Sequence, residues 1–563
     1  MSTTSCPWLA SYPVEVSHKL SYPDIPLYEL LLQTAQAHPD TPAIFFMGKE
    51  MTYAQLLEDC YRFANALQQL GVTKGDRIAI MLPNIPQSVI AYYGALLVGA
   101  IVVQTNPLYT ERELLHQMSD SGAKVIVCLD LLYPRVKRIK QDTMLQHLIV
   151  TGIKDYLPLA KKLFYPFVQW KQRQRVQVKE GEDAGVYAFT SLLARSISAP
   201  VRTPADVRHD VALIQYTGGT TGKAKGAMLT HANLIANVIQ CGAWFYKARQ
   251  GEERILAAIP FFHVYGMTVA MNFGIYMGAK LILVPRFDVS MMLKLIDNQK
   301  PTVFPGAPTM YIGLLSHPEL SKYNISSIEA CLSGSAPLPV EVQQKFEAIT
   351  NGKLVEGYGL TECSPVTHAN PIWGRRVNGS IGLPWPDTEC RVVDIETGED
   401  VLPGSVGELC VRGPQVMKGY WNCEEETHAS LQDGWFFTGD IGSMDENGYF
   451  YIVDRKKDMI IASGFNIYPR EIEEVLYEHP AVKEAVVIGV PDEYRGETVK
   501  AYIVMRKDEE VTNEELDKYC RQKLASFKVP HLYEFRDELP KTAVGKILRR
   551  TLIEEERNKL QTK

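Results

Sequence analysis

The run Tyr216-Thr217-Gly218-Gly219-Thr220-Thr221-Gly222-Lys223-Ala224-Lys225-Gly226 puts four glycines, three threonines and two lysines into eleven residues. It follows the strand-like segment Val211-Ala212-Leu213-Ile214-Gln215. Glycines let backbone N–H groups turn toward an anion without Cβ interference. Threonine hydroxyls add donors, and lysines add charge for phosphate oxygens. These residue types at this density predict a polyphosphate-binding loop; the alternative is a polar surface turn. The common P-loop needs four residues between its first glycine and the Gly-Lys pair, followed by Ser or Thr. Here Gly218 and Gly222-Lys223 enclose three residues and Ala224 follows, so that pattern is excluded.

Three later strand-like segments end in turns of small residues. Residues 302–304 lead into Gly306-Ala307-Pro308-Thr309, and residues 328–332 into Ser333-Gly334-Ser335-Ala336. Lys353-Leu354-Val355 leads into Glu356-Gly357-Tyr358-Gly359-Leu360-Thr361-Glu362. In open α/β sheets ligands bind beyond the carboxyl ends of strands. Small residues leave room there, Tyr358 offers a ring for a base, and Glu362 with Thr361 offers hard oxygens for Mg2+. For each turn alone, tight packing is the alternative. Pro260-Phe261-Phe262-His263-Val264-Tyr265-Gly266 is a further strand end, with aromatics and a histidine that suit a pocket wall. Asp440 in Thr438-Gly439-Asp440 and Lys546 after Gly545 complete the candidates; taken alone, Lys546 reads sooner as a surface lysine than as a phosphate ligand.

The elements that must position these residues alternate. Helical spacing marks residues 53–70, 88–99 and 111–121; strand-like runs mark 77–82, 101–103 and 124–128. Strands alternating with helices predict βαβ units and largely parallel sheets, an α/β fold. From residue 390 to about 451 short strands and turns predict a β-rich subdomain. The charged knot Asp454-Arg455-Lys456-Lys457-Asp458 marks a domain boundary. After it a small α+β unit is expected, with helices at 471–478 and 513–525 and strands at 484–490, 499–505 and 533–535.

A chain of 563 residues needs two or more domains. A net charge of −6 gives no general attraction to nucleic acid. Residues 1–20 show no basic segment ahead of an apolar core, so no signal peptide is expected. The apolar run 90–103 is interrupted by Gly94 and Gly99 and is too short for a bilayer. Ten scattered cysteines without a CxxC pair do not suit zinc and fit a reducing cytoplasm. Residues 161–179 interleave six basic side chains with four aromatic ones and contain no acid. That run suits peripheral contact with an anionic membrane face or, alternatively, a solvated helix with an apolar docking face.

The loop at 216–226, the 357–362 turn, Thr438-Gly439-Asp440, the 454–458 knot, Ser463-Gly464-Phe465-Asn466-Ile467-Tyr468-Pro469 and the 540–550 tail stand in the order of the adenylate-forming superfamily. The chain resembles that superfamily, which includes acyl-CoA synthetases, luciferases and peptide-synthetase adenylation domains, over nearly its whole length. Gln104-Thr105-Asn106-Pro107-Leu108-Tyr109-Thr110-Glu111 and Phe261-Phe262-His263-Val264-Tyr265-Gly266-Met267 make it most similar to bacterial long-chain fatty-acid–CoA ligases.

The resemblance implies a large domain at 1–453, a hinge at 454–458 and a small mobile domain at 459–563. It implies a reaction in two halves: a carboxylate attacks ATP to give acyl-AMP and pyrophosphate, then CoA takes the acyl group and releases AMP. By resemblance Thr217, Gly218, Gly219, Thr220, Thr221, Gly222 and Lys225 hold the β- and γ-phosphates. Glu362 with Thr361 holds Mg2+. Tyr358, within the Gly357–Gly359 turn, stacks near adenine, and Gly334, Ser335 and Ala336 line the adenine and carboxylate side. Asp440 binds the ribose, assisted by Arg455. Lys546 bridges carboxylate and α-phosphate, Lys457 is the pivot, and Gly464 borders the pantetheine tunnel. His263, Gly306 and Ala307 are expected on the acyl side. Phe465 departs from a second glycine common in the superfamily. A medium-chain or aryl-CoA ligase, or a fatty-acyl-AMP ligase loading a carrier protein, are the alternatives; the sequence admits a homodimer.

Overall fold

Val211–Thr217, the strand ahead of the glycine-threonine loop, lies inside an eight-stranded sheet. The structure is a computed structural model. It describes residues 6–159, 161–162, 184–217, 224–462, 465–492, 495–507, 509, 511–542 and 547–561. In spatial order the sheet runs Gly419–Tyr420, Lys225–Thr230, Val211–Thr217, Ile101–Gln104, Arg77–Met81, Val125–Leu129, His147–Thr151 and Val186–Ala188. From Val211–Thr217 onward every neighbour is parallel. The first two strands pair antiparallel.

Parallel strands need crossover helices, and these bury the sheet. Tyr53–Gln69 opens with a capping box in which Thr52 and Gln55 bond reciprocally. Pro86–Leu97 begins with proline at its first turn and is buried along all twelve residues. Its apolar surface extends all round, as a fully enclosed helix requires.

Arg254–Ala257, Lys280–Leu283, Pro42–Phe46 and Lys49–Thr52 form a second sheet. Ala330–Ser333, Lys353–Gly359, Val366–Ala369 and Leu383–Pro384 form a third. The expected strand at 302–304 makes only single bridges, from Val303 to Ile255 and to Ala330. Those bridges knit the second and third sheets together. Residues 266–272 wind as a buried π-helical turn, a feature without a sequence signal.

The chain divides into two compact units, Trp8–Glu389 with Arg412–Phe436, and Cys390–Val411 with Phe437–Lys563 and Met1–Pro7. The β-rich stretch thus groups mostly with the C-terminal part. In that unit Val482–Asp492 and Gly496–Met505 form a long antiparallel hairpin. Ile460–Ala462 and Leu532–Phe535 pair with its second strand. The helices Pro469–Tyr477 and Asn513–Lys523 bury Ile472, Leu476, Leu516 and Cys520 in its core. Among the described residues no helix is long and apolar enough to cross a membrane.

Candidate active site

The two strands that flank the expected phosphate loop pair with each other. Val211–Thr217 and Lys225–Thr230 pair antiparallel, and the register closes with Thr217 opposite Lys225. The sequence reading expects the first strand and misses the second, because Gly226 reads as loop. Its reason is packing: a Cβ there would stand 2.5 Å from Ile214 Cγ2 and 3.3 Å from the Tyr216 ring. Gly218, Gly219, Thr220, Thr221 and Gly222 lie outside the described residues, as do Gly464 and Lys546.

Lys225 points its ammonium at the Tyr420 ring, 4.9 Å from the centroid. The Tyr420 hydroxyl donates to Glu362 Oε1 at 2.8 Å. Burial and the Glu362 charge push the Tyr420 hydroxyl well above the usual phenol range, so it remains a neutral donor. Glu362 sits in the 3-10 turn Thr361–Cys363, directly after Lys353–Gly359, and is 9% exposed. Its carbonyl accepts the Met417 N–H at 2.7 Å. A buried carboxylate and the half-buried Thr361 hydroxyl on one short turn are hard oxygens of the kind Mg2+ takes. The donor set therefore fits that ion. Tyr420 has no role in the sequence reading; a tyrosine on a two-residue strand carries no local signal.

The expected Gly357–Gly359 turn is instead the end of the strand Lys353–Gly359, paired with Val366–Ala369, and its glycines are fixed by packing. A Cβ on Gly359 would lie 2.1 Å from the Pro365 carbonyl oxygen, and one on Gly357 2.7 Å from Leu332 Cδ1. Tyr358 is half-buried with its ring edge-on to His368 at 5.8 Å. His368 is fully buried, and burial lowers its imidazole to about 3. Thus the Tyr358 ring rests against a neutral imidazole.

Gly306, Ala307 and Gly334 are buried. The sequence reading leaves room for a ligand beside them. The structure fills two of those spaces with rings. A Cβ on Gly306 would meet Tyr311 at 2.7 Å, and one on Gly334 would meet Tyr265 at 3.3 Å. Tyr311 bonds the Phe304 carbonyl at 2.8 Å, and Tyr265 bonds that of Leu332. Ser335 holds a positive φ of 72°, a conformation disfavoured for a residue with a side chain. Ser335 and Ala336 are half-buried. His263 is half-buried too, and its Nδ1 accepts the Tyr265 N–H at 3.3 Å. Gln215 reaches from the hairpin strand to the Phe262 carbonyl at 3.0 Å, tying the two expected walls together.

In the C-terminal unit, Asp440 and Arg455 are direct cross-strand partners. Arg455 Nε lies 3.2 Å from Asp440 Oδ1, and Asp440 is 4% exposed. Glu408 holds the same turn, accepting the Gly439 N–H at 3.1 Å and the Lys456 ammonium at 2.8 Å. Burial pushes the Lys457 ammonium down, with the Asp458 charge opposing.

A second constellation surrounds Lys457, and the sequence reading assigns it no role. Arg549 reaches Glu473 at 2.6 Å, Asp458 at 3.3 Å and Asp454 at 3.9 Å. Arg470 donates from its backbone N–H to Asp454 at 2.7 Å and from its guanidinium to the Ile452 carbonyl at 2.8 Å. These partners are 16 to 95 residues apart in the chain, so local sequence could not announce them.

Residues 31–421 match the family described as AMP-binding enzyme, and residues 471–546 match the AMP-binding enzyme C-terminal domain. A long-chain-fatty-acid–CoA ligase of Bacillus subtilis (strain 168) is 56% identical over 551 residues, 98% of each chain. One from Escherichia coli O157:H7 is 42% identical over 562 residues, 99% of each. The ATP-bound crystal structure of MatB from Rhodopseudomonas palustris superposes with a TM-score of 0.83 at 31% identity, covering 94% of this chain and 99% of MatB.

Proposed function

This chain belongs to the AMP-binding enzyme family, and from that premise we propose that it is an ATP-dependent long-chain fatty-acid–CoA ligase. It activates the fatty acid as acyl-AMP, releasing pyrophosphate, and transfers the acyl group to CoA, releasing AMP. The observation that carries the reading is the convergence of Lys225 and Glu362 on Tyr420, at the last pair, Thr217 opposite Lys225, of the two antiparallel strands.

The first step needs charge neutralised around the phosphates and the reactants held in line. In this reading Thr217, Lys225 and residues 218–222 hold the departing pyrophosphate end of ATP. Mg2+, when bound by Glu362 and Thr361, neutralises phosphate charge. Tyr358 stacks with adenine while Gly334, Ser335 and Ala336 line the same side. Asp440 takes the ribose hydroxyls and Arg455 orients it. Lys546 bridges the fatty carboxylate and the α-phosphate. Between the steps the 459–563 domain turns about Lys457, which brings Gly464 beside the pantetheine of CoA. His263, Gly306 and Ala307 belong to the acyl side, with Tyr311 and Tyr265 as the groups that shape it. The reading places the enzyme in the cytoplasm, with residues 161–179 contacting the inner membrane face. Of that run only Lys161 and Lys162 fall within the described residues; both are exposed.

ATP–pyrophosphate exchange across carboxylic acids of rising length tests the substrate class. Each buried methylene contributes up to about 0.8 kcal/mol, so kcat/KM should climb by up to about fourfold per methylene into the long-chain range. A maximum on benzoate or on medium-length acids would move the assignment to the aryl- or medium-chain ligases. Acyl-AMP formation without transfer to free CoA would indicate a carrier-loading enzyme.

A further inference from the structure

The turn at residues 258–265 carries His263 and follows the strand Arg254–Ala257, but lies outside any strand itself. Much of it is buried, and buried N–H and C=O groups need partners. Asn84 supplies three of them. It stands just past the strand Arg77–Met81 and is 2% exposed. Its amide nitrogen donates to the carbonyls of Ala257 at 2.9 Å and Ile259 at 2.8 Å. Its Oδ1 accepts the Phe261 N–H at 2.8 Å. One side chain thus grips three alternate residues of a turn 173 to 177 positions away in the chain. Among side chains this short only an amide can do so, because aspartate lacks the donors and serine has a single one.

Other contacts fix the rest of the turn. Gln215, from the strand Val211–Thr217, donates to the Phe262 carbonyl at 3.0 Å. The Tyr265 hydroxyl donates to the Leu332 carbonyl. The His263 N–H donates to the Pro260 carbonyl at 3.1 Å, and a Cβ on Gly266 would stand 2.4 Å from that same oxygen. The His263 ring is held by its own turn, since its Nδ1 accepts the Tyr265 N–H at 3.3 Å. Where the backbone goes, the ring follows. A reacting group misplaced by about 1 Å can cost on the order of a hundredfold in rate, so even a modest relaxation of the turn should register.

We propose that Asn84 is a positioning residue for the acyl side: with Gln215 beside it, it sets the turn that presents His263 to the fatty acid. The inference rests on the function proposed above, which places His263 at the acyl substrate, and it gives Asn84 no contact with that substrate.

ATP–pyrophosphate exchange by the full-length enzyme, with fatty acid and ATP varied in turn, tests it through single and double variants. Asn84→Ser keeps one donor and sheds the rest of the grip. Its kcat/KM for a long-chain fatty acid should fall about tenfold, while the KM for ATP stays within about twofold of wild type. His263→Ala should lower the same kcat/KM. Adding Asn84→Ser to His263→Ala should cost less than about a further twofold, because the group being positioned is gone. Gln215→Leu, close in size, should cost about threefold alone and be absorbed by His263→Ala in the same way. General damage to the fold would act in both backgrounds alike and produce no such saturation. Losses that simply multiply would overturn the proposal, as would a loss shared equally between fatty acid and ATP. A wild-type fatty-acid kcat/KM in His263→Ala would instead overturn the placing of His263 beneath it. Should Asn84→Ser fail to fold, Gln215→Leu and its double variant decide the question.

Discussion

Glu362 in the larger unit and Glu473 in the smaller one are buried to the same degree, 9% exposed each, yet they are met differently. Glu362 receives a neutral phenol on Oε1. Glu473 receives both Nη2 hydrogen bonds of Arg549, which also approaches Asp454 and Asp458. A neutral donor fixes the direction of a carboxylate and adds no charge of its own. A guanidinium satisfies the charge and turns the acid into a structural tie. The first arrangement suits a site that binds a cation and polyphosphate. The second suits a segment whose own conformation must be held.

The two regions should therefore fail in different ways. The largest effect is expected at Lys546, three residues before Arg549 in the chain. Lys546→Ala should slow acyl-AMP formation about a thousandfold while leaving thioester formation from supplied acyl-AMP near wild type. Equal loss of both half-reactions would remove its step-specific role. Glu362→Ala should slow acyl-AMP formation about a hundredfold and shift its Mg2+ titration; an unchanged titration would remove Glu362 as a ligand.

On the structural side, Glu473→Ala should cost about 3 kcal/mol in the unfolding of the C-terminal unit, read by urea denaturation. The variant leaves a largely buried guanidinium short of its main partner. A loss under about 1 kcal/mol would place the pair among ordinary surface contacts and erase the contrast drawn above.

His368 sharpens the picture of the larger unit through pH. Its folded value, about 3, lies below the ordinary 6.5 because burial disfavours the imidazolium. Between those values the unfolded chain binds the extra proton. The stabilisation from a neutral His368 is complete above about pH 6.5 and is lost as pH falls toward 3, at up to about 1.4 kcal/mol per unit. His231, lowered to about 4 by burial, adds slope of the same sign. His368→Gln should flatten, without abolishing, the fall in stability between pH 6.5 and 5; an unaltered slope would contradict the assignment.

The smallest stability effect is expected at Arg455, whose side chain is 39% exposed. Arg455→Ala should alter stability by less than about 1 kcal/mol yet raise the ATP half-saturation several-fold. A large stability loss with unchanged ATP dependence would make the pair with Asp440 structural.

Much of this was legible in the sequence where the signal is local. Residues 111–121 read as a helix and form one with the same bounds, Glu111–Ser121, because Thr110 and Glu113 build a capping box at its start. The expected 88–99 helix begins two residues earlier, at Pro86, whose ring is preset for a first turn. Dense motifs marked Glu362, Asp440 and Arg455 as candidates from their neighbours in the chain. What stayed hidden depends on distant partners. Lys225–Thr230 becomes a strand because Gly226 must pass Ile214. Tyr420 matters because the fold brings it to Glu362, 58 residues away, and Arg549 because it meets Glu473, 76 residues away.

The two-step reaction is the property on which every residue role above depends. Incubation of the enzyme with a long-chain fatty acid and ATP, without CoA, followed by a chase with CoA, measures it directly. Acyl-AMP and pyrophosphate should form in about one equivalent per enzyme, and CoA should convert the bound intermediate to acyl-CoA and AMP. Release of ADP and phosphate, or acyl-AMP that CoA leaves untouched, would contradict it.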